Sequence, residues 1–114
     1  MRNDEAVLLR EIMLAVSAIR RPDGSPVCVL WRQHCGVFLA MTGKHPTRIG
    51  IEGQADIGGV LCNGRAVQVE VKSPIGRLRE GQVRWATMCQ SMGVLYVLAR
   101  SVEDVTGAIR EALA

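Results

Sequence analysis

A chain of 114 residues is the size of one domain with one core, below the length at which chains divide, and a single domain over residues 1–114 is expected. An apolar fraction of 48% with 22% charged residues excludes disorder as the default, and two Trp, one Tyr and one Phe leave the core to aliphatic side chains and Met. Fourteen Lys and Arg against 11 Asp and Glu give +3, a mild excess that suits a polyanionic partner without identifying one.

From Asp4 to Ile19 the apolar residues Val7, Leu8, Ile12, Ala15, Val16 and Ile19 recur at three-and-four spacing, which predicts a helix with Asp4 and Glu5 in its first turn. Arg21-Pro22-Asp23-Gly24-Ser25-Pro26 is dense in turn formers and ends it. Val27 to Trp31 reads as a short apolar strand and Gly36 to Met41 as a weaker one; Thr42 to Gly53, with Gly43, Gly50 and Gly53, reads as a long loop. Ile57–Cys62 and Arg65–Lys72 are strand-like runs joined by Asn63-Gly64, a strong hairpin signal. After a Ser73–Leu78 connector, Arg79 to Met92 predicts a helix with Val83, Ala86, Met88 and Cys89 available for burial, closed by Gly93. Val94 to Ala99 is an apolar strand, and Ser101 caps a last helix with a Val102, Val105, Ile109, Leu113 stripe. The expected architecture is α/β, a mixed sheet flanked by helices in the order α-β-β-β-α-β-α.

No apolar run approaches the roughly 20 residues that span a bilayer, and the amino terminus is charged and helical in pattern, so a cytoplasmic protein with no membrane partner is expected. Cys28, Cys35, Cys62 and Cys89 show no Cys-x-x-Cys spacing and lie in apolar settings, which reads as buried reduced thiols. His34, Cys35 and His45 likewise show no metal-ligand spacing.

Chemistry concentrates on Gln-Val-Glu-Val-Lys at 68–72. With a period of two, Val67, Val69 and Val71 point to one face and Gln68, Glu70 and Lys72 to the other. Asp56 stands at the head of the partner strand, and two carboxylates on adjacent strands suit a hard divalent cation and phosphodiester cleavage, with the ammonium stabilising developing charge. Register decides whether they meet. A plain two-residue Asn63-Gly64 turn pairs Asp56 with Val71 and turns it among the valines. The site assembles only with a bulge at Gly58-Gly59, a departure from strand geometry at Asp56, or a three-residue loop.

Asp56 followed after thirteen residues by Glu70-Val71-Lys72 resembles the PD-(D/E)XK nuclease superfamily. Gly53-Gln54-Ala55-Asp56-Ile57-Gly58-Gly59, Val69 to Ser73, Gly76-Arg77-Leu78, Gln82, and Trp31-Arg32 followed by Gly36 narrow the resemblance to the VRR-NUC domain family over nearly the whole chain. It departs from the family at Ala55, where a proline is usual, and at Gln33-His34-Cys35, where asparagine is common. The resemblance implies a restriction endonuclease-like core and Mg²⁺- or Mn²⁺-dependent cleavage of DNA. It implies Asp56, Glu70 and the Val71 carbonyl as metal ligands, Lys72 as the catalytic lysine, Gln82 as a supporting polar residue, and a reach toward the metal for Glu11.

Stand-alone members resemble Holliday junction resolvases, which implies branched DNA as substrate and a homodimer. With no room for a recognition domain, selection by DNA shape is expected. Arg77 and Arg79, with Lys44, Arg48 and Ser73, are candidate DNA contacts, and Lys44, His45, Arg48, Arg65, Arg77 and Arg79 a candidate basic rim. Trp85 is read as packing. The alternatives are a nuclease of flaps, ends or nicked duplex, and a non-catalytic DNA-binding module on the same scaffold.

Overall fold

The computed structural model describes residues 3–34, 36–39 and 45–114. Its elements are α1 (Asn3–Ser17), β1 (Cys28–Arg32), β2 (Gly36–Leu39), β3 (Pro46–Ile49), β4 (Ile57–Leu61), β5 (Ala66–Val71), α2 (Glu80–Ser91), β6 (Leu95–Ala99) and α3 (Val102–Leu113). Five strands therefore precede α2, not three. β2 and β3 pair with each other as a separate antiparallel ribbon, and β3 lies inside the stretch read as a loop. The four-stranded sheet has the order β1-β4-β5-β6, antiparallel except for β5 with β6, whose parallel pairing is allowed by the α2 crossover. A mixed sheet between helices is thus the architecture.

The β4–β5 hairpin solves the register problem through its loop. Ile57 pairs with Val69 and Val60 with Ala66, and the Leu61 N–H donates to the Arg65 carbonyl, leaving Cys62, Asn63 and Gly64 as a three-residue loop. Gly64 N–H closes a turn on Leu61 O at 2.8 Å, Asn63 Oδ1 accepts from Arg65 N–H, and Gly64 adopts φ +88°. The hydrogen bonds and the left-handed Gly64 match the three-residue loop, a turn followed by a left-handed residue, that such hairpins favour. One residue more than the plain Asn-Gly turn moves the ladder one step, so Asp56 falls across from Glu70, on the opposite face from Val69 and Val71.

The valine face forms the core. Val67, Val69 and Val71 pack with Ile57, Leu61, Val97 and Ala99 of the neighbouring strands, with Leu9, Ile12 and Val16 of α1, and with Val105 and Ile109 of α3. On α1 the buried stripe runs through Leu9, Ile12 and Val16, while Val7, expected inside, is exposed. α3 follows its predicted pattern. Ser101 Oγ accepts from Asp104 N–H, and Asp104 Oδ2 accepts from the Ser101 and Arg100 N–H groups, satisfying donors that a helix start leaves free. On α2 the stripe is Gln82, Ala86 and Cys89, with Val83 and Met88 exposed, and it covers the polar face of β5 and β6. Cys28 and Cys89 are buried free thiols, Cys28 pushed up to about 11 by burial; Cys62, expected inside, is exposed at the hairpin tip, and Cys35 lies outside the described residues.

Two left-handed glycines carry different burdens. A Cβ at Gly64 would meet open space, whereas one at Gly53, φ +83°, would collide with the backbone carbonyl of Gly81. Gly64→Ala is expected to cost about 1–2 kcal/mol from backbone strain alone. Gly53→Ala is expected to cost more, because it also separates the loop before β4 from the start of α2. Urea denaturation of the two variants beside wild type measures the difference; equal losses would remove the close approach as a constraint.

Candidate functional site

The hairpin register brings two acids together at the start of β4. Glu70 is 2% exposed, and its carboxylate is gripped on one oxygen: Gln82 Nε2 donates to Oε1 at 3.1 Å. The amide of Gln82 is itself oriented, since its Oε1 accepts from Arg79 N–H at 2.9 Å in the first turn of α2. Lys72 Nζ stands 4.0 Å from the same Glu70 oxygen, with a side chain only 13% exposed. The other oxygen, Glu70 Oε2, is buried without a hydrogen bond among the described residues. The Asp56 carboxyl stands beside Glu70, and because two charged carboxylates can only accept, a hydrogen bond between them requires a shared proton. Burial first, and Asp56 second, push the Glu70 carboxyl up to about 8 against the opposing pull of Lys72 and Arg79.

Asp56 is pinned from both sides. Its Oδ2 accepts from Val71 N–H at 2.9 Å, and its backbone carbonyl accepts from Gln33 N–H at 2.8 Å. The Gln33 side chain donates to the Ala55 carbonyl and to Gln68 Oε1, both at 3.0 Å, and Gln68 Oε1 also accepts from Trp85 Nε1 at 3.1 Å. A Cβ at Gly58 would strike the Gln33 amide, so the glycine makes room for this chain of amides. In an extended strand the N–H and C=O of one residue point to the same side; because Val71 N–H points at Asp56 while Lys72 N–H pairs with Ala99 of β6, the Val71 carbonyl also faces the Asp56 side.

Asp56, Glu70, Lys72 and Gln82 therefore line one cleft of about 480 Å³, with Arg32, His34 and Arg79 around them. Glu11 does not belong to it. Glu11 is exposed, and Glu5, six residues earlier, lines the cleft instead, its Oε1 accepting from Ser73 N–H at 3.1 Å. The signal was present in α1, because Glu5 extends the buried stripe of Leu9, Ile12 and Val16 one turn toward the amino terminus. Ser73 is buried, with its N–H on Glu5 and its carbonyl accepting from Arg100 Nη1, so it secures the chain after β5 and offers no surface contact. Arg77 and Arg79 are exposed as expected; Lys44 lies outside the described residues, and Arg48 is described only as backbone of β3. Trp85 packs against the sheet through Gln68, and Gln33 and Gln68 are positioning residues that the alternation of β5 alone did not distinguish from a solvated face.

The donor set fits a hard divalent cation. Among the described residues no three His, Cys, Asp or Glu side chains gather to hold a metal by themselves. Two carboxylates, one with a buried oxygen lacking any donor, and a backbone carbonyl on the same side match the habit of Mg²⁺, which takes one or two carboxylates and keeps several waters. Compared with known protein families and with curated proteins, the chain matches none.

The electrostatics predict a stability profile. A carboxyl raised in the folded state from 4.5 to about 8 contributes stability below the unfolded value and loses it as pH rises through the folded one. In metal-free buffer the urea midpoint is expected to fall between about pH 4.5 and 8, and Glu70→Gln to flatten that fall. Adding Mg²⁺ at pH 8 is expected to raise the wild-type midpoint and leave Glu70→Gln unmoved. An unchanged wild-type midpoint at millimolar Mg²⁺ would argue against cation binding.

Proposed function

We propose that the chain is a Mg²⁺- or Mn²⁺-dependent DNA endonuclease of the VRR-NUC type, hydrolysing phosphodiester bonds in branched DNA such as Holliday junctions and acting as a homodimer. The observation that carries the catalytic reading is the buried, donorless Oε2 of Glu70 beside Asp56, with Lys72 at the same carboxylate. The choice of branched DNA and of a dimer rests on the ordered resemblance from Trp31 to Gln82.

Asp56, Glu70 and the Val71 carbonyl would hold the cation. The chemistry it supplies when bound is Lewis-acid polarisation of a phosphoryl oxygen and acidification of water. The protein prepares the rest. Gln82 fixes which way Glu70 presents its free oxygen, and Val71 N–H with Gln33 fixes Asp56, so neither carboxylate has to reorganise during reaction. Lys72, shielded from water and drawn toward Glu70, holds its positive charge where a phosphoryl group gathers negative charge. Arg32, His34 and Arg79 at the cleft supply donors for phosphate oxygens, contacts that orient a strand without reading its sequence. Among the described residues no helix is long and apolar enough to cross a membrane.

Cleavage of labelled four-way junction, flap, nicked and linear duplex DNA in Mg²⁺ tests the reading. Wild type is expected to cut the junction best, and Glu70→Gln and Lys72→Ala to lose about 100-fold or more. Gln82→Ala is expected to fall less, because it acts through Glu70. Preference for another DNA form would replace the substrate; binding without any cutting would leave a DNA-binding module; neither binding nor cutting would sink the proposal.

A further inference from the structure

The chain leaving β5 makes a tight turn whose exposed tip is apolar. Gly76 N–H donates to the Ser73 carbonyl at 3.1 Å, with Pro74 and Ile75 at the two central positions, an arrangement in which proline presets the backbone. Both backbone groups of Ser73 are tied inward, the N–H to Glu5 and the carbonyl to the Arg100 guanidinium, which joins the base of the turn to α1 and to the start of α3. A Cβ at Gly76 would lie 3.4 Å from Lys72 Cδ, so the turn abuts the stem of the lysine at the cleft. From this anchored base Ile75 projects with 81% of its surface exposed. Arg77 and Arg100 line the shallow hollow beside it and Arg79 lines the cleft, while the nearest acids in sequence and contact are engaged, Glu80 by Arg84 and Glu5 by the Ser73 N–H.

We propose that Ile75 is a wedge that inserts between base steps of DNA next to the cleaved bond. The inference rests on the nuclease reading and gives it a means of selecting shape. Apolar side chains on DNA-binding proteins unstack base steps in this way, least expensively where stacking is already broken, as at a branch point. Insertion needs a tip that does not fold back, and the ties on Ser73 supply it. It also needs phosphate contacts on either side to hold the backbone while the step opens; Arg77, Arg79 and Arg100 carry the charge for them. A DNA backbone answers this charge directly, with Arg77 and Arg100 sharing one hollow with Ile75. Lys72 and Ile75 are three Cα steps apart, so their backbones stand within about 11 Å of each other; with the reach of both side chains added, the opened step is expected within about six nucleotides of the scissile phosphate.

The test uses the full chain carrying Glu70→Gln, which keeps the DNA uncut, and four-way junctions with 2-aminopurine placed singly at steps around the branch point. Binding is expected to raise the fluorescence at least about twofold at one or two steps within about six nucleotides of the bond that wild type cuts. Adding Ile75→Ser is expected to abolish the rise while the Kd changes by less than about threefold, because phosphate contacts supply most of the affinity; Ile75→Leu is expected to restore it. An undiminished rise with Ile75→Ser overturns the wedge and leaves the nuclease reading standing. Absence of junction binding by wild type overturns both.

Discussion

Holding two carboxyl groups side by side, Glu70 buried and Asp56 at the cleft, costs free energy whenever both are charged, and the arrangement around them answers that cost. What brings them together is a count of residues in a loop. With three loop residues between Leu61 and Arg65, Asp56 lies across from Glu70; with two it would lie among the valines, and the sheet would be an ordinary half-polar one. Once the acids share a face, each needs its remaining oxygens satisfied. Val71 N–H serves Asp56 and Gln82 serves Glu70, while one oxygen is left bare. A proton or a cation can occupy that space; a hydrogen-bond donor from the protein does not.

The two faces of β5 divide the labour. The valines fasten the strand to α1 and α3, and a strand fastened so tightly can carry charged groups at fixed positions on its other side. α2 reaches that side with the amide of Gln82 and the indole of Trp85, and the segment after β1 reaches it with Gln33. Elements distant in sequence thus meet at Glu70 and Asp56 by way of side-chain amides, groups that orient acids without adding a formal charge of their own.

Much of this was legible in the chain. The alternation at 67–72, the Asn63-Gly64 signal and the capped stripe of α3 each express one local rule, and the strands and helix follow it. The register question could be posed from the sequence but not answered, because Asn-Gly at a loop end is compatible with two loop lengths, and only packing of the valine face selects between them. The reach expected of Glu11 fails because the apolar pattern of α1 is broad enough to admit more than one buried stripe; tertiary contact chose Leu9, Ile12 and Val16, which turns Glu5 inward and leaves Glu11 exposed. β3 hid in a stretch rich in glycine and proline, where strand propensity is weak and pairing with β2 supplies what the residues lack. The roles of Gln33, just past β1, and Gln68, on β5, were not legible because a glutamine amide reads as solvated until its partner is known.

The Asp56–Glu70 pair also bears on the order in which the molecule assembles. The β4–β5 hairpin is among its most local elements, closing over three residues, whereas β5 meets β6 only after the whole of α2 has been laid across the sheet. Local contacts cost less chain entropy to form, so the hairpin is the natural early structure and the parallel pairing a late one. On that order Asp56 and Glu70 would face each other before Gln82 arrives, and the docking of α2 would then both orient Glu70 and complete the cleft.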